Sequence, residues 1–362
     1  MSSQITIKPT AGRSAVEIAE IVANPGFGRV FTDHMAVAKW STEKGWHDLS
    51  IEKYAPLQFD PAMLALHYGQ SIFEGMKAYR WNDGTINTFR PLMNANRFQR
   101  SAKRLAMPEP SQDLFLSMVQ ELVKIDHAYV PSGGDKSLYI RPFMFASEVG
   151  LGVRPATEYL FLVIASPVGA YFDPAKAVSV WVSTEYVRAA PGGTGEAKCA
   201  GNYAASLIAQ AQAKEQGCDQ VIWLDAIERK WIEEMGGMNL FFVMGSGDEA
   251  QLLTPSLTGT LLPGVTRDSL IKLGNDLGIE THEGKISIDE LRSSLANGKI
   301  SEVFACGTAA VISPVGMIKG EFGEIQVGNG LPGEITMRLR KALLDLQTGL
   351  APDENSWMYR LV

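Results

Sequence analysis

Pro191-Gly192-Gly193-Thr194-Gly195-Glu196-Ala197-Lys198-Cys199-Ala200-Gly201-Asn202-Tyr203 is built from small residues, yet it sets a lysine at the threshold of a helix expected over 202–216. Its four glycines permit positive φ and close backbone approach. A lysine in such a setting is partly desolvated, which lowers its pKa and frees its amine to form a Schiff base. Composition alone also fits a simpler reading, a mobile surface loop with a solvated lysine. Segments elsewhere in the chain shift the balance.

Leu261-Leu262-Pro263-Gly264-Val265-Thr266-Arg267 runs from a Pro-Gly turn into a helix expected over 266–277. The N–H groups of Val265 and Thr266, with the Thr266 hydroxyl, make an anion site at a helix N-terminus; a plain N-cap at Thr266 is the other reading. Cys306-Gly307-Thr308-Ala309-Ala310 offers a similar turn after a strand expected over 302–305, readable also as a tight turn chosen for packing. Ile232-Glu233-Glu234-Met235-Gly236-Gly237-Met238-Asn239 sets an acidic pair between Trp231 and the apolar run 240–243. A carboxylate turned inward there is costly unless it meets a cation or an N–H donor, and a pyridinium nitrogen is such a partner. A solvated hairpin edge is the alternative. Lysine, phosphate cradle and buried carboxylate are the three parts a pyridoxal phosphate site needs: one holds the aldehyde carbon, one the phosphate, and one keeps the ring nitrogen protonated so that the ring is an electron sink.

The frame around these segments is that of an ordinary globular chain. Its 362 residues suggest about two domains, and a net charge of −7 argues against broad nucleic-acid binding. Cys199, Cys218 and Cys306 are odd in number and far apart, which points to a reducing compartment and no structural zinc. No apolar run is long enough to span a bilayer and no basic-then-apolar leader is visible, so a cytoplasmic protein is expected. P-loop, dinucleotide, HExxH and GxSxG signatures are absent. Asn82-Asp83-Gly84 marks a hairpin between 78–81 and 85–89, a helix follows Pro91, and Ser111 caps another. Strands are expected over 137–145, 158–166 and 178–187, and helices over 287–297 and 332–347. Strands and helices mix without strict alternation, which favours an α+β fold. Gly169, Asp173 and Pro174 mark the linker, giving a smaller N-terminal α/β domain over 1–168, an interdomain loop over 169–177 and a larger C-terminal domain over 178–362.

The ordered motifs carry a resemblance over nearly the whole chain. Phe31-Thr32-Asp33-His34-Met35, Phe73-Glu74-Gly75-Met76-Lys77-Ala78, Ser137-Leu138-Tyr139-Ile140-Arg141-Pro142, Gly201-Asn202-Tyr203, Glu234-Met235-Gly236, Leu262-Pro263-Gly264-Val265 and Gly307-Thr308-Ala309 closely resemble the branched-chain-amino-acid aminotransferases. These are fold type IV pyridoxal phosphate enzymes, of the same architecture as the D-amino-acid aminotransferases. The resemblance implies a two-domain enzyme that passes amino groups between L-leucine, L-isoleucine or L-valine and 2-oxoglutarate by a ping-pong route. Another fold type IV enzyme, a D-amino-acid aminotransferase or an aminodeoxychorismate lyase, is the alternative, and Arg141 with the 73–78 segment argues against both.

Residue by residue, the resemblance makes Lys198 the Schiff-base lysine and proton shuttle, and Arg97 the phosphate-binding arginine. Val265, Thr266 and Thr308 complete the phosphate cradle, Tyr203 bonds the ring oxygen and Glu234 the ring nitrogen. On the substrate side, Tyr68, Tyr139 and the Gly307-Thr308-Ala309 backbone match groups around the α-carboxylate. Phe27, Phe73, Tyr139 and Tyr171 match the apolar pocket, and Arg141 the receiver of glutamate's distal carboxylate. A homodimer is implied, with Tyr68, Leu151 and Val153 offered to the second subunit; no metal, membrane or nucleic acid takes part. Two departures stand out. Ala310 and Ser313 replace a CxxC carried by mammalian members, and Gly237 stands where many relatives have threonine, removing one hydroxyl contact to substrate.

Overall fold

The computed structural model describes residues 4–8, 10–173 and 175–362, so Pro174 of the expected linker lies outside the described residues. Contacts divide the chain into two units: Met1–Tyr171 with Ala197–Gly201 and Leu346–Val362, and Phe172–Glu196 with Asn202–Asp345. Among the described residues no helix is long and apolar enough to cross a membrane.

In the first unit the described strands form one sheet. Its order from one edge is Thr6–Ile7, Gly45–Lys53, His34–Ser41, Glu158–Val168, Ser137–Ala146, Met76–Arg80, Ile86–Phe89 and Met358–Arg360, with Ser71–Phe73 joined to Ser137–Ala146 off this path. Only the outermost pairing, Thr6–Ile7 with Gly45–Lys53, is parallel. The hairpin at Asn82-Asp83-Gly84 forms as its turn residues require: Ala78 faces Thr88, and the Thr85 N–H donates to Asp83 at 2.9 Å. Pro91 opens the helix Pro91–Arg104, where its missing N–H costs nothing. Ser111 caps Gln112–Ile125 by accepting from the Leu114 N–H at 3.1 Å. The two helices bury Phe98 and Phe115 against Phe161 of the sheet, with ring centroids 5.2 and 6.1 Å away. Each ring so removed from water stabilises the unit by about 2 kcal/mol.

In the second unit the sheet closes on itself. Ile232–Met235 pairs with Gln220–Leu224 on one side and Met238–Met244 on the other. From Gln220–Leu224 the ring continues through Val178–Ser183, Val311–Gly320 and Ile300–Gly307 back to Met238–Met244. Closure removes the unpaired edges that an open sheet presents. Val180, Ile222, Leu240, Phe242 and Val303 belong to its fully buried core. Gln251–Pro255 and Thr281–Gly284 extend the sheet outward from Met238–Met244.

Three local expectations change. The strand 178–187 ends at Ser183, whose hydroxyl accepts from the Tyr186 N–H at 3.2 Å and donates to the Tyr186 carbonyl at 3.1 Å, folding a turn. The helix 202–216 is two helices, Ala200–Ala204 and Leu207–Glu215. Ser206 breaks it, because its N–H and its hydroxyl both turn back to the Tyr203 carbonyl, at 3.1 and 2.7 Å. The helix 332–347 begins at Glu334 rather than at Pro332. Its first turn is fixed from outside: the Glu302 carboxylate accepts from the Ile335 and Thr336 N–H groups at 3.0 and 2.8 Å.

Candidate active site

Lys198 belongs to the first unit, in the short inserted run Ala197–Gly201. Its N–H donates to Ser101 Oγ at 2.9 Å, and its carbonyl accepts from the Phe73 N–H at 3.0 Å. Cys199 forms an isolated antiparallel bridge with Ile72. The lysine backbone is therefore pinned to a strand and a helix, and the loop reading is overturned. Of the segment's four glycines only Gly192 takes a positive φ, 75°. The Lys198 ammonium lies 4.8 Å from the centre of the Phe73 ring, and the Arg141 guanidinium stands at the same distance from that ring.

Glu74, next to Phe73, is fully buried and holds Arg97. Nε and Nη2 of Arg97 donate to its two oxygens at 2.7 and 2.9 Å, a bidentate fork. Asn94 Nδ2 and the Gly75 N–H add bonds of 2.8 and 3.1 Å to the same carboxylate. Burial would push the Glu74 carboxyl up, but the Arg97 guanidinium, Lys198 and Asn94 hold it below the usual carboxylate range. Glu74 falls within the 73–78 motif, but nothing in the sequence assigns it a role. A buried arginine at 97 demands a buried anion, and that demand was the available signal. Glu74→Ala leaves the Arg97 charge uncompensated and is expected to cost about 3–5 kcal/mol. A urea midpoint equal to that of the wild type would contradict this.

The apolar candidates Phe27, Tyr139 and Tyr171 are linked ring to ring in this same unit, and Arg141 meets Tyr139 and Phe73. Phe27 meets Tyr171 edge-on at 4.8 Å and Tyr139 at 5.6 Å between centroids. Arg141 lies over Tyr139 at 5.3 Å and donates from Nη2 to its hydroxyl at 2.9 Å. Arg141 Nε is buried with no hydrogen-bond partner among the described residues. A methyl group at Gly75 would lie 2.2 Å from Tyr139 Oη, so glycine there makes room for that hydroxyl. Tyr68 stands elsewhere in the unit, partly exposed, and its hydroxyl donates to the Leu151 carbonyl.

The second unit carries the other half of the candidates. Strand register puts Glu234 opposite Asn239, and Asn239 opposite Cys306, in one row across three strands. Both carboxylates of the acidic pair are buried, so the hairpin-edge reading falls. Glu234 receives the Leu262 N–H on Oε1 at 2.5 Å and Asn239 Nδ2 at 3.5 Å, while Arg188 Nε lies 2.9 Å from Oε2. Asn239 Nδ2 also donates to the Leu262 carbonyl at 3.0 Å. Leu262 is thus clamped from both sides, which fixes the loop just before the helix Val265–Asp276. Gly264 is the N-cap of that helix and no side chain caps its first turn. Thr266 is its second residue rather than its cap, so the Val265 and Thr266 N–H groups lie in the turn where a helix binds anions. The Arg188 plane is set by the Thr260 carbonyl at 2.7 Å and the Gly195 carbonyl at 3.2 Å. Arg188 and Asn239 were missed, because no periodicity or local motif marks a side chain that serves a carboxylate far along the chain.

Gly307, Thr308 and Ala309 follow Cys306 into the turn between Ile300–Gly307 and Val311–Gly320, with Gly307 opposite Val311. Burial pushes the Cys306 thiol far up, so it stays a thiol. Tyr203 lies against Gly237: a methyl there would stand 3.2 Å from its Cε1. The departure at 237 thus accompanies close approach of the Tyr203 ring.

The sequence pattern of the amino-transferase class IV family matches residues 71–318, and the chain belongs to that family. A branched-chain-amino-acid aminotransferase of Mycolicibacterium smegmatis is 57% identical over 343 residues, covering 94% of this chain and 93% of the relative. Among solved structures, the branched-chain amino acid aminotransferase of Escherichia coli is similar at a TM-score of 0.74 and 33% identity, over 90% of this chain and 100% of that one. The corresponding enzyme from T.th., solved with pyridoxamine 5'-phosphate, is similar at a TM-score of 0.74 and 29% identity, over 90% and 99%. Within the family the chain stands with the branched-chain-amino-acid aminotransferases, fold type IV enzymes that work with pyridoxal 5'-phosphate.

The residues present fit that cofactor. The second unit offers a buried carboxylate for a protonated ring nitrogen, beside an uncapped helix N-terminus suited to a phosphate. The first offers a pinned lysine beside an aromatic ring and a buried arginine.

Proposed function

We propose that the chain moves amino groups reversibly between L-leucine, L-isoleucine or L-valine and 2-oxoglutarate, giving branched 2-oxo acids and L-glutamate in two alternating half-reactions. The observation that carries the reading is the ring chain Tyr171, Phe27 and Tyr139, with Arg141 against Tyr139 and Phe73. Aromatic walls suit a branched apolar side chain. The buried Arg141 Nε seeks an acceptor, which the distal carboxylate of glutamate provides. One pocket then serves both substrates.

Pyridoxal phosphate, when bound, supplies the electron sink that accepts the bonding pair left at the substrate α-carbon. In this reading Lys198 Nζ would anchor the cofactor and, once free, carry the α-proton. Glu234 would accept from the ring N–H and keep that proton in place; Arg188 and the Leu262 N–H hold its carboxylate in position. The Tyr203 hydroxyl donates to the ring oxygen. Arg97, the Val265 and Thr266 N–H groups and the Thr308 hydroxyl hold the phosphate, and Glu74 locks the Arg97 fork. Tyr68, Tyr139 and the backbone at Gly307, Thr308 and Ala309 receive the α-carboxylate.

An absorbance titration of the holoenzyme tests this. L-leucine is expected to bleach the visible band of the lysine-bound cofactor, 2-oxoglutarate to restore it, and D-alanine to leave it unchanged. Bleaching by D-alanine alone would overturn the substrate assignment, and no visible band after cofactor addition would overturn Lys198.

We further propose a cytoplasmic homodimer in which Tyr68, Leu151 and Val153 reach the partner's site. Supporting this, Leu151 and Val153 are 68% and 82% exposed, and Tyr68 is tied to the Leu151 carbonyl. Sedimentation velocity is expected to give twice the chain mass of 39.4 kDa; a monomer at micromolar concentration would overturn the dimer.

A further inference from the structure

Ile232–Met235 carries two neighbouring carboxylates, and strand alternation sends them to opposite faces. Glu234 is accounted for by Arg188, Asn239 and the Leu262 N–H. Glu233 is not. It is 6% exposed; its Oε1 accepts from the Thr260 hydroxyl, and its Oε2 has no hydrogen-bond partner among the described residues. Burial, assisted by the nearby Asp225 charge, pushes its carboxyl above the usual range. Leaving such an oxygen buried and unmatched is unfavourable, and a donor from outside would relieve it.

Glu233 lies in the wall of a cavity of about 230 Å³ within the second unit. Trp231, Ile232, Pro255 and Leu261 give this cavity apolar walls. Its charge is lopsided: Asp225, Glu228 and Glu233 face one basic residue, Lys285. Asp225 accepts four backbone N–H bonds of 2.7–3.0 Å, from Ile227, Glu228, Lys230 and Trp231. Those bonds hold it at about 2, so it contributes fixed negative charge and little bonding capacity. Glu228 is engaged by the Trp231 indole N–H at 2.9 Å, which fixes the ring. Lys230 and Lys285 stand 4.7 and 5.4 Å from the centre of that ring, so its face already draws cations.

We propose that this cavity binds a small organic cation with a flat apolar body, its charged N–H group donating to Glu233 and its body lying on Trp231. Glu233 lines the cavity, and the torsion of its carboxyl group is soft, so the group can turn without a change of side-chain rotamer. The volume falls below the roughly 300–1,000 Å³ of drug-sized pockets, which limits the body to about one ring. The site lies on the far face of the strand from Glu234. Thr260 serves both faces: its hydroxyl bonds Glu233 and its carbonyl bonds Arg188.

Benzamidine is the probe, and benzoate, the same ring with the opposite charge, is its control. Benzamidine carries no alkyl amine to compete with Lys198. Calorimetry on the holoenzyme is expected to show saturable benzamidine binding, with no displacement by benzoate. Glu233→Gln keeps the shape and is expected to weaken binding about tenfold, the worth of one charge-assisted hydrogen bond. Lys285→Met, on the exposed rim, removes the cation that lines the cavity and is expected to tighten binding about threefold. A crystal soaked with benzamidine is expected to show it against Trp231 and Glu233. Unchanged affinity in Glu233→Gln, weaker binding in Lys285→Met, displacement by benzoate, or density elsewhere would each overturn the proposal.

Discussion

Lys198→Ala is expected to abolish transamination, by a factor on the order of 10⁵ or more, because the anchor and the proton carrier are lost together. The fold should survive, since alanine retains the backbone N–H and carbonyl that bond Ser101 and Phe73. Borohydride reduction followed by peptide mapping gives a readout independent of rate. In the wild type the cofactor is expected on the peptide that contains Lys198. Lys77 is the control, because it is a buried lysine of the same unit. Lys77→Met should retain the attachment at 198. Cofactor fixed at any other lysine, or turnover within tenfold of the wild type in Lys198→Ala, would defeat the assignment.

Glu234→Gln is expected to lower kcat by about 10²–10³-fold, the usual loss when one fixed electrostatic partner of the reacting system is neutralised. The amide keeps the shape and can still accept the Leu262 N–H, so the loop before Val265–Asp276 should stay clamped. Glu234→Ala should do something more. Arg188 then remains buried without its carboxylate, a change expected to cost about 3–5 kcal/mol of stability. The two variants therefore separate chemistry from folding: Gln loses rate, while Ala loses both rate and urea resistance. Equal stability of the two would show that Arg188 does not depend on Glu234, and unaltered kcat in Glu234→Gln would remove it from the mechanism.

Some of this architecture is legible in local sequence because its cause is local. Asn82-Asp83-Gly84 sets a hairpin turn, and Pro91 and Ser111 open helices. In each, a residue acts on backbone within a few positions. Where the expectations shift, the deciding partner is a bond that periodicity does not register. Ser206 splits a helix through the Tyr203 carbonyl, and Glu302 sets a helix start more than thirty residues away.

The candidate site divides the same way. Lysine, acidic pair, Pro-Gly turn and small-residue turn each stand out as segments whose composition is at odds with a simple loop or core, and together they name a cofactor chemistry. The order of residues thus supplies the inventory: which groups are available, and the reaction they suit. Their partners come from the folded chain alone. Glu74 for Arg97, Arg188 for Glu234, Asn239 for Leu262 and Gly75 for the Tyr139 hydroxyl all join positions distant in the chain. The physical reason is burial. A charge taken out of water must be matched by whatever the fold brings within about 3 Å, and that match is set by packing between elements rather than by the order of residues along them.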